Sequence, residues 1–149
     1  MSCLRQLWQF LLTTFLQLDK VPRIVAPDER VTRYIFFHRH VKNGQVSSGA
    51  FLPSPKTNDL SVYRTHRCTE KRIWLLGKLF VEGHGKDKGR ILARGDLCSA
   101  IIFAQGLRIV AVGTPHPRHA NVRDWPDDKA QQKMKAVVLA ENSSLFFRP

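Results

Sequence analysis

Acid, cysteine and the glycine signatures of nucleotide-binding enzymes are scarce or missing in this chain of 149 residues. Only 12 Asp and Glu stand against 24 Lys and Arg, giving a formal net charge of +12. The acids mostly sit beside bases or at helix starts, which argues against a hydrolase built on paired carboxylates. Cysteines are limited to Cys3, Cys68 and Cys98, odd in number and far apart, with no C-x-x-C. That excludes a disulfide framework and makes a reducing cytoplasm the simplest compartment. Neither G-x-G-x-x-G nor G-x-S-x-G occurs, so a dinucleotide site and a nucleophile elbow are not expected. No cofactor is expected. No apolar run reaches the ~20 residues of a membrane-spanning helix.

What is present is a globular composition. The apolar fraction of 43% suits a packed core, and the length suits one domain. Split at residues 50 and 100, the thirds carry net charges of +4, +5 and +3. The excess therefore runs through the whole chain. A diffuse positive field favours a nucleic acid or an acidic protein partner, against the blander reading of a solubility effect.

Leu4, Leu7, Trp8, Leu11, Phe15 and Leu18 recur at three- and four-residue steps and predict an amphipathic helix over residues 4–18. Too little positive charge precedes it, and no small-residue cleavage site follows it, for a secretory signal. Residues 1–20 are set apart as this helix, and residues 21–149 as one α+β domain. Docking of the helix on its own domain ranks ahead of a partner-binding or self-associating helix, and a membrane-surface helix ranks last.

Val31 to Val41 reads as a strand, and Asn43-Gly44 as a two-residue hairpin turn leading into a partner strand from Gln45 to Leu52. Leu60 to Thr65 is a third strand, whose inward residues are Leu60 with Val62 or Ser61 with Tyr63. Thr69 is a helix N-cap, and Gly77 weakens the helix over 69–82 modestly. Gly83 to Gly89 is basic and glycine-rich, but its spacing is not that of a phosphate loop, so a solvated connector is preferred. Arg90–Arg94 and Leu97–Gln105 read as strands broken at Gly95-Asp96, and Leu107–Val112 as another. A helix over residues 127–140 is expected to bury Ala130, Met134, Val137 and Val138, with Leu139 added on one reading. Leu145-Phe146-Phe147 follows as an edge strand or a packing segment.

The chemistry concentrates in Pro115-His116-Pro117-Arg118-His119-Ala120-Asn121-Val122, read as a rigid loop because prolines fix φ and remove donors. His116 and His119 are catalytic candidates, with Arg64, His38 and His40 as an opposing wall. Two near-neutral imidazoles beside an arginine suit general acid–base work on a phosphodiester. Arg64, Arg118, His119, Asn121, Arg123 and Trp125 are binding candidates, with Trp125 the aromatic most expected to be exposed. Tyr34, Phe36 and Tyr63 also lie among arginines, but strand aromatics are more often buried. The histidine pairs lack the specificity of a zinc motif, so no metal is expected.

The Leu60-Ser61-Val62-Tyr63-Arg64 strand, with the later Pro117-Arg118-His119-Ala120-Asn121-Val122, resembles a loose set of small uncharacterised bacterial proteins. They share an LSV-x-R strand and a P-x-H-A-x-V segment. The resemblance spans about residues 31–141 and implies a bacterial origin and a single domain. It singles out Arg64 and His119.

Together these readings predict one α+β domain: a mainly antiparallel sheet of about five or six strands with about three helices. The leading functional expectation is a basic accessory or nucleic-acid-associated module of a larger bacterial system. The second is a small histidine-dependent, nuclease-like enzyme acting on a phosphate-containing substrate. The third is a subunit held, or self-associating, through the Leu4–Leu18 helix. No transmembrane segment is expected.

Overall fold

Alternation along the strands sorts side chains onto two faces of one antiparallel sheet. The computed structural model describes residues 3–17, 19–84 and 89–149, with side chains described up to residue 12 in the first stretch. Among these residues the chain forms β1 (Arg30–Ile35), β2 (Val41–Lys42), β3 (Gln45–Val46), β4 (Leu60–Arg64), β5 (Ala93–Cys98), β6 (Arg108–Ala111), β7 (His119–Arg123) and β8 (Ser144–Phe147). The helices are α1 (Cys3–Gln17), α2 (Glu70–Phe80), α3 (Ser99–Ala104) and α4 (Lys129–Glu141). The main sheet runs β6-β7-β4-β1-β5-β8, antiparallel at every step. β2 and β3 form a separate hairpin. Its turn places Asn43 at φ 53° and Gly44 at φ 70°, the paired positive φ that Asn-Gly supplies at least cost. The fold is a single-domain α+β arrangement.

On one face, Val31, Ile35, Leu60, Val62, Ala93, Leu97, Ala120 and Val122 meet Phe51 and the Ala136 and Leu139 of α4. On the other, Tyr34 and Tyr63 meet Ile73, Leu76 and Phe80 of α2. Each fully buried Val, Leu, Ile or Phe among them stabilises the fold by roughly 1.5–3 kcal/mol. Of the inward pairs left open for the third strand, Leu60 with Val62 is buried on the α4 side, while of the other pair Tyr63 is buried on the α2 side and Ser61 is half-exposed. Thr69 caps α2, its hydroxyl accepting from Arg72 N at 3.3 Å. Asp128 caps α4, accepting from Ala130 N at 3.1 Å.

Several sequence expectations are corrected. The strand expected over Val31–Val41 ends at Ile35, and His38–His40 form a 3-10 turn. A strand lasts only as long as its partner, and Leu92 N bonding Ile35 O lies just outside the β5 ladder. The partner strand expected to Leu52 stops at Val46, before the turn Ser48–Phe51. Gly95-Asp96 does not break a strand but lies inside β5. A Cβ on Gly95 would sit 3.2 Å from Val46 Cγ2 and 3.4 Å from Phe51 Cζ, so glycine marks a close approach there.

The segment after Cys98 is α3, not strand, which raises the helices to four. Its first N–H groups are taken by Glu29 O and Pro27 O, at 2.8 Å each. On α4 the buried residues are Gln132, Ala136, Leu139 and Ala140, while Met134 is 70% exposed. Gln132 sets this face: its Nε2 donates to Asn58 Oδ1 at 3.0 Å and to Pro126 O at 2.7 Å. The basic loop expected at residues 83–89 falls largely on residues 85–88, outside the described residues. Among the described residues no helix is long and apolar enough to cross a membrane.

Candidate functional site

The segment read as one rigid loop divides in two. Residues 113–118 form the loop, and His119–Arg123 form β7, which pairs with β4 on one side and β6 on the other. Strand alternation then decides what each residue can do. Ala120 and Val122 are buried on the α4 side, while His119, Asn121 and Arg123 are half-buried on the α2 side. Register puts Tyr63 opposite His119 and Ser61 opposite Asn121.

On this face the His119 ring stacks on Tyr63, with centroids 5.3 Å apart and planes at 30°. Its Nδ1 lies 2.5 Å from Thr114 O, and its Nε2 lies 2.8 Å from Ser61 Oγ. A carbonyl only accepts, so the neutral ring carries its proton on Nδ1, and Ser61 Oγ–H donates to the Nε2 lone pair. Next to this pair, Asp59 Oδ2 accepts from Asn121 Nδ2 at 3.3 Å and from Arg123 Nε at 3.2 Å. Arg108, opposite Arg123 in β6, is paired with Asp124.

The other candidates lie elsewhere. His116 is fully buried against Phe80, with ring centroids 4.7 Å apart, and its Nδ1 accepts from Arg118 N at 3.1 Å. Arg64 is 1% exposed and engages Glu29 twice, Nε to Oε2 at 2.9 Å and Nη2 to Oε1 at 2.7 Å. Its Nη1 also donates to Pro22 O at 2.5 Å. Arg118 donates to Asp19 Oδ2 at 2.6 Å and to Arg64 O at 2.9 Å. Arg72 of α2 holds the other Asp19 oxygen. Arg64 of β4, Arg72 of α2 and Arg118 of the loop before β7 thus hold residues 19–24, the connector leaving α1.

Burial works to raise the Asp19 and Glu29 carboxyls, but their arginine hydrogen bonds and charges outweigh it and hold both below the usual carboxylate range. His38 lines a separate cleft of about 370 Å³ with Phe36, Arg90 and Arg148. His40 lies by the 3-10 turn at Gly49 and packs edge-on against Phe37. Burial and the charges of Arg39 and Arg33 lower its pKa. The expected wall of Arg64, His38 and His40 therefore does not face His119 across one cleft.

Trp125, expected to be exposed, is 4% exposed, and its Nε1 donates to Val122 O at 3.1 Å. The tight Asp124 backbone (φ 70°) turns the indole into the core. Among the described residues no group of three or more His, Cys, Asp or Glu is arranged to hold a metal ion.

Sequence reasoning missed Ser61, Asp59, Glu29 and Asp19. Only Ser61 had a local signal, the period-two alternation of Leu60–Arg64 that sets it on the face opposite Leu60 and Val62. The connection of these residues to their partners spans 35 to 99 positions. Against known proteins, the chain matches no family model, no curated protein and no solved structure.

Proposed function

We infer that the protein is a basic accessory module that docks on an acidic partner protein through α1. One observation carries this reading. Leu4, Leu7, Trp8, Phe10 and Leu11 are between 52% and 77% exposed on a helix whose root is held by ion-paired arginines. Docking of α1 on its own domain, the first-ranked expectation, would cover these side chains. A contiguous apolar surface of this kind marks an interaction site.

Charge indicates what covers it. Lys20, Arg23 and Arg67 are exposed around the root of α1. Lys20 and Arg67 line one cleft, Lys20 and Arg23 its neighbour. A second copy of a chain with charge +12 would bring two such collars together, whereas an acidic rim around an apolar groove complements one. A membrane surface fits less well, because Arg5 is the only charged residue of α1 and interfacial helices carry a Lys/Arg-rich polar face. Nucleic acid fits less well too, since Tyr34, Tyr63 and Trp125 are buried and Phe36 alone of the four candidate stacking aromatics is half-exposed.

The test places photoreactive benzoylphenylalanine at Phe10 of the full chain and irradiates it in extract of the source cells. The expected product is a covalent adduct with one acidic protein that survives nuclease treatment. It should be lost in Lys20→Glu/Arg67→Glu. Crosslinking to a second copy, to lipid or back onto the same chain would overturn the reading, as would an adduct indifferent to the charge reversal.

A further inference from the structure

The β4–β7 face carries a feature that α1 docking does not use, and it stands whether or not that docking occurs. Ser61 Oγ donates to His119 Nε2 at 2.8 Å, and the ring's other nitrogen is tied to Thr114 O. Both residues are half-exposed. We propose that Ser61 is a nucleophile and His119 its general base, in a hydrolytic site for carboxylic acyl esters.

The geometry supplies each part. Serine is a weak nucleophile until a base within about 2.6–3.2 Å accepts its proton. Here the carbonyl of Thr114 fixes the tautomer in which Nε2 is the acceptor facing Ser61 Oγ, and Tyr63 holds the ring plane by stacking. Asn121, opposite Ser61 in register and on the same face, gives one amide hydrogen to Asp59. The second hydrogen of that amide is the donor for a developing oxyanion.

In the first step the Ser61 Oγ–carbon bond forms as the bond from carbon to the leaving alcohol oxygen breaks. The serine proton passes to Nε2 and from there to the departing oxygen. Water then attacks the acyl-serine, gives one proton to Nε2, and releases the carboxylic acid as that proton returns to Ser61 Oγ.

Local charge selects carbon over phosphorus. Arg123 is paired with Asp59 and Arg108 with Asp124, so the face holds alternating charges that largely cancel. A phosphodiester transition state gathers more negative charge than one amide can steady, whereas the single oxyanion of an acyl ester fits one donor. Thr114 contributes a carbonyl and not a carboxylate. It orients the imidazole without adding a full charge of its own.

The test treats the full chain with a biotinylated fluorophosphonate and, separately, with p-nitrophenyl butyrate and bis(p-nitrophenyl) phosphate. The expected results are a single adduct on Ser61, ester cleavage, and no phosphodiester cleavage. His119→Ala should slow labelling by ~10²–10⁴-fold, the usual share of a general base. Free imidazole should restore part of that rate, which a structural role would not allow. His119→Gln keeps a polar group beside Ser61 without a base and should be equally slow, while Asn121→Ala should cut ester turnover by ~10²-fold. If neither histidine variant folds, the adduct on the unaltered chain decides. Absence of an adduct at Ser61, a labelling rate indifferent to His119, or preference for the phosphodiester overturns the proposal.

Discussion

Arginine, never lysine, closes the ion pairs among the described residues, in eight pairs contributed by seven arginines. The planar fork explains the choice, since it meets a carboxylate with two bonds and reaches backbone carbonyls with the rest. Arg64 shows the consequence. Replacing it with Met strands Glu29 in a buried site, and removing one partner of such a pair costs about 3–5 kcal/mol. Urea unfolding should show that loss, and Arg64→Met/Glu29→Gln should recover a large part of it.

The pH dependence follows from the same contacts. Asp19 and Glu29 are held below their unfolded values of about 3.9 and 4.3. Their contribution is complete above about pH 5 and is lost as pH falls through the folded-state values. Thermal melting of the unaltered chain should therefore decline shallowly from neutral pH to about pH 5, where protonation of His40 favours the unfolded chain, and fall more steeply below about pH 4. Lys20→Glu, at an exposed position, should leave that profile in place.

Arg64 and His119 were both legible as residues of interest, but their roles were not. The acid that pairs with Arg64 lies 35 positions away, and the serine that meets His119 lies 58 away. No local spacing encodes either contact.

At the scale of elements, α2 shows how packing overrides propensity. Gly77 reads in the sequence as a weak point of the helix, and alanine there would gain about 1 kcal/mol of helix propensity. In the fold its backbone presses on the sheet. A Cβ would lie 2.7 Å from Ile91 Cδ1 and 2.7 Å from Tyr34 Cε1. Tyr34 cannot swing aside cheaply, because its hydroxyl donates to Ile73 O at 2.5 Å. Gly77→Ala should therefore destabilise the protein by about 1–3 kcal/mol in chemical denaturation, the usual cost of overpacking.

The same competition explains which elements could be read. The Asn43-Gly44 turn and the Thr69 cap are local chemistry and fall where the residues indicate, and the helix expected from residue 127 begins at Lys129 with Asp128 as its cap. The run Ser99–Ala104 is apolar at nearly every position, and six such residues read equally as strand or helix. Long-range acceptors at Pro27 and Glu29 decide for helix. The face of α4 is likewise set by Asn58, 74 positions from Gln132, a partner that periodicity within the helix cannot reveal.

For the molecule as a whole, the antiparallel α+β class was legible because alternation and turn residues repeat along the chain. The strand order was not, because β8 joins at the far edge beside β5 and β7 lies between β4 and β6. The exposure of the first turns of α1 is also a whole-molecule property, and truncation tests it. Removing residues 1–18 takes away a helix whose apolar side chains at residues 4, 7, 8, 10 and 11 are exposed, and should shift stability by no more than about 0.5 kcal/mol, as exposed surface changes do. Removing residues 1–24 also takes Asp19 from Arg72 and Arg118, and the Pro22 and Ile24 carbonyls from Arg64. That loss should be several-fold larger, about 3 kcal/mol or more, because buried charged groups are left unmatched. Differential scanning calorimetry of the two truncations separates the outcomes.

The three-arginine hold on residues 19–24 also defines a path for force. Arg64 projects from β4, Arg72 from α2 and Arg118 from the turn before β7, and all three grip the strap that follows α1. Tension on the helix is thus shared among three separated points of the body and does not peel one strand from an edge. Whatever pulls on α1 pulls on the centre of the sheet, and the module yields as a unit or not at all.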